Sequence, residues 1–135
     1  MYRPLYDDTI QSLVFIADGR TTEDVLSGSV NVFVCGGLQN PEKMANILGR
    51  NAPFAPAAAN GYARTVAEVG GEQIPFMVPA DDPGSVLTGV VWLDLGEQDV
   101  KNIETLELKG NVRKRVEIRV QVGEKALEAL TYVRR

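Results

Sequence analysis

Two periodicities run through this chain. The alternation Val-Glu-Ile-Arg-Val-Gln-Val from Val116 to Val122 predicts a strand with one buried face. A continuous apolar, β-branched run from Val30 to Cys35 predicts a strand buried on both sides. Further strands are predicted over Tyr62–Val69 and Gln73–Val78, joined through Gly70-Gly71 as a hairpin. Val86–Leu95 reads as a long strand, with Gly89 marking a bulge or a close backbone approach. Strands over 112–122 and 126–133 flank a turn at Gly123-Glu124-Lys125. The helical period appears over 41–48, where Asn40 is the expected N-cap, Pro41 the first helical residue and Gly49 the stop. It appears again over 97–108. Asn51–Asn60, with Pro53 and Pro56 set among alanines, predicts an irregular loop. Ala80–Gly84 predicts a turn.

Residues 1–29 stand apart, as an N-terminal extension to a domain over 30–135. Asp7 and Asp8 predict the cap of a short helix over Thr9–Ile16 that Asp18-Gly19 ends; a strand over Leu13–Ile16 is the alternative. Leu5 and the run Leu13–Ile16 are too apolar to be left in water. The segment is therefore expected to pack on the rest of the domain or on a partner chain, including a second copy. Strands with two helices between them predict an α+β fold built on a curled or closed mixed sheet.

With 44% hydrophobic and 24% charged residues over 135 positions, the chain has the composition of one globular domain rather than a disordered one. It has no long apolar run and no basic start followed by an apolar stretch, which predicts a soluble, unexported protein. A single cysteine cannot close an internal disulfide, in keeping with a reducing, cytoplasmic setting. The absence of histidine excludes more: no Ser-His-Asp or Cys-His triad, and no His-ligated metal centre. Acid–base chemistry at neutral pH falls to Asp, Glu, Lys, Tyr or Cys. Residues 1–100 carry 5 basic and 13 acidic side chains and residues 101–135 carry 9 and 5. The basic excess at Arg113, Lys114, Arg115 and Arg119 decorates the wet face of a predicted strand. With net charge −4 and no stacking aromatics nearby, it argues against a nucleic-acid surface.

Two features carry candidate chemistry. At Gly36 and Gly37 the backbone is free to take dihedrals closed to other residues, and a strand, a Gly-rich loop and a helix start then gather backbone N–H groups around one concavity suited to a carboxylate or carbonyl oxygen. An ordinary strand-to-helix connection is the plain alternative. On helix 97–108, Val100, Ile103 and Leu106 define an apolar face, and Glu107 projects between Val100 and Ile103 toward the core, with Glu104 nearer the edge. An inward carboxylate loses hydration and becomes poised to exchange a proton. The alternative is a salt bridge to Arg113 or Arg115, or a frayed turn that frees Glu107 to water.

Taken in order, several segments resemble the γ-glutamylcyclotransferase-like superfamily in its short bacterial form. Val32-Phe-Val-Cys-Gly-Gly-Leu38 is similar to the family's opening V-F-V-Y-G-T-L strand and loop. Gly61-Tyr-Ala-Arg64, Ile74-Pro75 and Gly89-Val-Val-Trp-Leu93 fall where its central strands lie. Ile103-Glu-Thr-Leu-Glu107 resembles L-D-x-Y/F-E, Arg113–Val120 the following Y-x-R-x-x-V-x-V strand, and Ala129–Val133 the closing A-x-x-Y-V. The likeness covers about residues 30–133.

The resemblance implies a mixed β-barrel flanked by short helices, with a cavity above the loop. It implies release of 5-oxoproline from a γ-glutamyl amine, peptide or related small amide, as the substrate's own amine attacks its γ-carbonyl. The catalytic glutamate corresponds to Glu107. Cys35, Gly36, Gly37 and Leu38 correspond to the substrate-binding loop, and Tyr132 to a pocket wall. No metal and no cofactor is implied, and neither a nucleic-acid nor a membrane partner. The family's loop tyrosine is Cys35 here, its Ser or Thr is Gly37, its aspartate is Glu104, and the tyrosine expected near 112 is Val112. With no histidine to activate it, Cys35 is assigned to the wall rather than to nucleophilic chemistry. These departures keep open a second class of function, a non-catalytic small-molecule-binding or assembly protein on the same scaffold.

Overall fold

The computed structural model describes residues 1–28 and 30–135. Ser29, the last residue of the predicted N-terminal extension, lies outside the described residues. The elements in chain order are β1 (Arg3–Asp7), β2 (Ser12–Ile16), α1 (Thr22–Leu26), β3 (Val32–Val34), α2 (Pro41–Leu48) and β4 (Phe54–Asn60). They continue with β5 (Tyr62–Val69), β6 (Glu72–Pro79), β7 (Val86–Trp92), α3 (Glu97–Glu107), β8 (Arg113–Val122) and β9 (Lys125–Arg134). Single 3₁₀ turns at Gly37–Gln39 and Lys109–Asn111 lead into α2 and out of α3.

Strands β4, β7, β3, β9 and β8 pair in that order, and β8 returns to β4 through Ala58 and Gln121, closing a five-stranded barrel. The β3–β9 pair is parallel and the rest antiparallel, so the barrel is mixed. Strand alternation sorts the core into two compartments. Phe33, Val91, Ala129 and Val133 point into the barrel, while Val32, Val34, Trp92 and Tyr132 point outward against α2 and α3. Burying a side chain of the size of Phe33 contributes about 1.5–3 kcal/mol, and it is 1% exposed. Among the described residues, no helix is long and apolar enough to cross a membrane.

Most predicted elements stand, with their ends moved: the Val30–Cys35 run pairs only over Val32–Val34 and the Val86–Leu95 strand stops at Trp92, while the strands predicted over 73–78 and 126–133 extend to Glu72–Pro79 and Lys125–Arg134. Three expectations are corrected. The first is the helix over Thr9–Ile16, which is instead the hairpin β1–β2, in agreement with the alternative strand over Leu13–Ile16. Asp7 caps the hairpin turn, accepting from the Thr9 N–H at 2.9 Å, and no helix follows. The short helix of this region is α1, where Thr21 and Asp24 cap one another. The second is the loop over Asn51–Asn60, most of which is strand β4. Its alanines are the reason for both the strand and its concealment. Ala55, Ala57 and Ala59 alternate inward, where the narrow barrel leaves room for a methyl group, but alanine carries little strand signal of its own. The third is Leu106, which is 48% exposed and lies off the apolar face that Val100 and Ile103 define.

The hairpin β1–β2 joins the barrel through Phe15 and Phe54. Val14, Ile16, Val25 and Leu26 are buried in the same core as the barrel interior. Hairpin β5–β6 stands apart as its own two-stranded sheet beside β9, with Phe76 and Met77 buried. Gly89 marks a close approach: a Cβ there would fall on the Val34 carbonyl oxygen and the Phe33 ring.

Candidate active site

Strand β3 delivers the chain to the rim of the barrel, and the loop that follows turns at once into α2. Asn40 caps α2 as expected, its side-chain oxygen accepting from the N–H groups of Glu42 and Lys43 at 2.9 and 3.2 Å, and Gly49 ends it with φ 74°. Between β3 and α2, residues 37–39 form the 3₁₀ turn. No side chain caps it, so its first N–H groups have no intrahelical partner. Neither Gly36 nor Gly37 takes a positive φ, contrary to the expectation of dihedrals closed to other residues. What they omit is bulk, and a Cβ on Gly36 would meet nothing within 4 Å. The Trp92 indole N–H donates to the Leu38 carbonyl at 3.0 Å and fixes the turn to the barrel wall.

Facing this loop is the end of α3. Asp99 caps that helix by accepting from the Gly96 N–H at 2.9 Å, and the Asn102 side chain ties it to α2 through the Ile47 carbonyl at 3.3 Å. Glu107 is its last residue. The 3₁₀ turn beyond it reverses the chain at Gly110, with φ 76°, and places Arg113 at the start of β8.

Cys35, Gly36, Gly37, Leu38, Glu107 and Tyr132 all line one cavity of about 230 Å³. That is smaller than the ~300–1,000 Å³ usual for drug-sized ligands and suits a small polar molecule. Residues singled out by separate arguments thus converge on one place. Glu107 is both a lining residue of the cavity and the partner of a salt bridge to Arg113, with Nε 3.8 Å from Oε2. Desolvation pushes its carboxyl above the ordinary carboxylate value, and Arg113 only partly offsets this. Glu104 is engaged elsewhere, accepting from the Tyr132 hydroxyl at 3.0 Å and from Arg115 at 3.2 Å. Burial and that hydrogen bond hold the Tyr132 phenol far above its ordinary value. The Cys35 thiol is pushed up by burial too, which keeps it protonated and unreactive at neutral pH.

Other lining residues were not singled out from the sequence: Lys43 from α2, Arg64 from β5, Phe76 from β6 and Thr131 from β9. Thr131 donates to the Phe33 carbonyl at 2.9 Å and is spent on structure. Arg113 is held by two contacts besides Glu107, donating to the Pro75 carbonyl at 2.8 Å and lying over the Phe76 ring at 4.8 Å. Lys43 left a faint signal, as a cation in the first turn of a helix, where the dipole disfavours it. Arg64 fell within the segment Gly61–Arg64 that resembles a central strand of the family, but nothing marked it as a site residue, because its place depends on how β5–β6 folds against the barrel. Among the described residues, no three of His, Cys, Asp or Glu converge as a metal-ligand set.

Comparison with known proteins agrees with this architecture. The family model described as "Gamma-glutamyl cyclotransferase, AIG2-like" matches residues 32–135. Protein AIG2 C of Arabidopsis thaliana is 36% identical over 95 residues, which cover 68% of this chain and 52% of that protein. The chain therefore spans about half the length of that curated relative. A protein of Arabidopsis thaliana solved in solution is 29% identical with a TM-score of 0.64, over 78% of this chain and 61% of the other. A structure named gamma-glutamyl cyclotransferase is similar in fold, with a TM-score of 0.66 at 16% identity over 78% of this chain and 66% of that one. A closed mixed barrel with this order of strands, matched by the family model over its whole length, places the chain in the γ-glutamyl cyclotransferase, AIG2-like, family.

Proposed function

We propose that this protein releases 5-oxoproline from a γ-glutamyl compound, with Glu107 as the proton carrier. The observation that supports the reading is the convergence of Glu107 and of Gly36–Leu38, which open the uncapped 3₁₀ turn, on one small cavity. In the proposed reaction Glu107 takes a proton from the substrate's α-ammonium. The freed nitrogen attacks the γ-carbonyl carbon and a five-membered lactam closes. The electron pair held on the carbonyl oxygen then returns and breaks the bond to the leaving amine, which takes the first proton from Glu107; the second proton passes from the ring nitrogen by way of Glu107 to the departing amine, leaving a neutral lactam N–H and an ammonium. Backbone N–H groups of the turn hold the oxygen on which charge gathers. Both reacting groups belong to one molecule, so holding them in the attack pose supplies much of the acceleration; effective molarities of this kind correspond to about 7–11 kcal/mol. Glu107 suits the task because it is neither fully hydrated nor locked. Desolvation makes it a better base than an exposed carboxylate, and the long Arg113 pair keeps the ionised form accessible.

The test is to incubate the protein with γ-glutamyl amines and dipeptides in water enriched in ¹⁸O. Ring closure yields unlabelled 5-oxoproline. Labelled glutamate would mean hydrolysis, and no product from any compound would favour the non-catalytic binding reading. Independently of the reaction, the N-terminal segment carries a partner expectation of its own. Tyr6 and Leu13, opposite one another on β1 and β2, are 55% and 40% exposed and offer a patch for self-association, checked by sedimentation of wild type against Leu13→Ser.

A further inference from the structure

The cavity carries more positive charge than the proposed reaction uses. Its ionisable lining comprises Lys43, Arg64, Arg113 and Glu107, together with the Cys35 thiol and the Tyr132 phenol, both held neutral. Arg113 is matched by Glu107. Lys43 and Arg64 are matched by nothing: neither joins an ion pair among the described residues. Both side chains are exposed, which puts them at the mouth rather than the floor. They approach the loop from two elements, Lys43 from the first turn of α2 and Arg64 from β5. The Lys43 ammonium lies 3.7 Å from the point a Cβ on Gly37 would occupy. Arg64 is close enough to act on the Cys35 thiol, drawing its pKa down against the effect of burial.

This pair has no evident structural purpose. A lysine in the first turn of a helix stands against the dipole, and neither cation closes a contact that holds the fold. The protein as a whole carries net charge −4, so the patch runs against the general balance. Two unmatched cations at the mouth of a small cavity attract negative charge and repel positive charge in whatever extends outward.

On the proposed reaction the γ-glutamyl end occupies the floor beside Glu107 and the loop N–H groups, and the leaving amine points to the mouth. We infer that Lys43 and Arg64 form a subsite for the leaving amine and select one with net negative charge, best a γ-glutamyl dipeptide whose second residue is Asp or Glu. Such a residue brings two carboxylates, one for each cation. A second residue with a neutral side chain brings one, an alkylamine none, and a diamine brings a cation to the wrong place.

This inference rests on the reaction proposed above, and a graded series separates the two. kcat/KM for 5-oxoproline release would be measured for γ-glutamyl-glutamate, γ-glutamyl-alanine, γ-glutamyl-ethylamide and γ-glutamyl-diaminobutane, in wild type, Lys43→Met, Arg64→Met and the double variant. Binding of the same compounds to Glu107→Gln would be followed by calorimetry, which needs no turnover. The expected result is a fall in that order of about five-fold per unit charge, the factor of a well-formed exposed ion pair. Each single substitution should remove about one step for the acidic compound relative to the ethylamide measured in the same variant. Raising the salt concentration should compress the series. Release that is indifferent to charge, or a preference that survives the double substitution, overturns the subsite and leaves the proposed reaction standing. Neither release nor binding of any compound overturns both.

Discussion

Glu107 stands between two opposing demands. Burial favours its neutral form and Arg113 its charged form, with burial the stronger. A base must be ionised to work, so the acid limb of the kcat/KM profile is expected above the ordinary glutamate range. Arg113→Gln removes the opposing influence and should move that limb to still higher pH; a limb that stays in place would remove Glu107 from proton transfer. The same shift has a consequence for stability. Because the folded-state value is raised, the contribution of the carboxyl is full below its unfolded-state value and is lost as pH rises through the folded one. Glu107→Gln is therefore expected to melt at or above wild type at neutral pH, with the gap closing in acid; thermal unfolding across that range checks the sign. This carboxylate was legible in the sequence because a helix has a fixed period, and Glu107 falls seven residues after Val100 and four after Ile103. Its partner Arg113 was visible only as a competitor for the carboxylate. Nothing in the spacing indicates that both arrangements coexist at 3.8 Å.

Among the elements, β3 and β7 matter most to the site, since the loop hangs from one and is pinned by Trp92 of the other. Gly89 lets them come together. Adding even a methyl group there drives a Cβ into the Val34 carbonyl oxygen, two residues before Gly36, and something must shift. Gly89→Ala is expected to cost about 1–3 kcal/mol, as overpacking in a tight core does, with loss of ligand binding alongside. Urea unfolding measures the first and calorimetry the second; a neutral substitution would mean that the close approach is not required. Gly89 announced itself, as an isolated glycine within an apolar strand does. Strand β4 did not. Its inward residues are alanines and its outward ones include Pro56, so composition pointed to a loop, and only the closed barrel's demand for small inward side chains explains the strand. The second strand of the N-terminal hairpin was ambiguous for another reason: the short apolar run Leu13–Ile16 satisfies a helix and a strand equally, and pairing with Phe54 decides between them.

At the scale of the whole molecule, the segment before the family match is built into the rest. Phe15 stacks on Phe54 at 4.8 Å between ring centroids, Phe54 packs on Trp92 at 4.8 Å, and Trp92 holds the Leu38 carbonyl. An aromatic row thus leads from the hairpin β1–β2 to the binding loop. Val14, Ile16, Val25 and Leu26 add their buried surface to the barrel core. Deleting residues 1–29 is expected to lower the melting temperature sharply and to weaken ligand binding with it. A truncated chain that melts with the wild type would contradict this packing.

Whether Glu107 carries the proton in release of 5-oxoproline is decided by one comparison. 5-Oxoproline release would be followed under single-turnover conditions for wild type and Glu107→Gln, with binding of the same γ-glutamyl compound measured on both. The expected result is a fall in rate of about 10²-fold or more, with the dissociation constant little changed, because the loop N–H groups are untouched. A glutamine variant that releases product at the wild-type rate, or that loses binding and rate in equal measure, would contradict it.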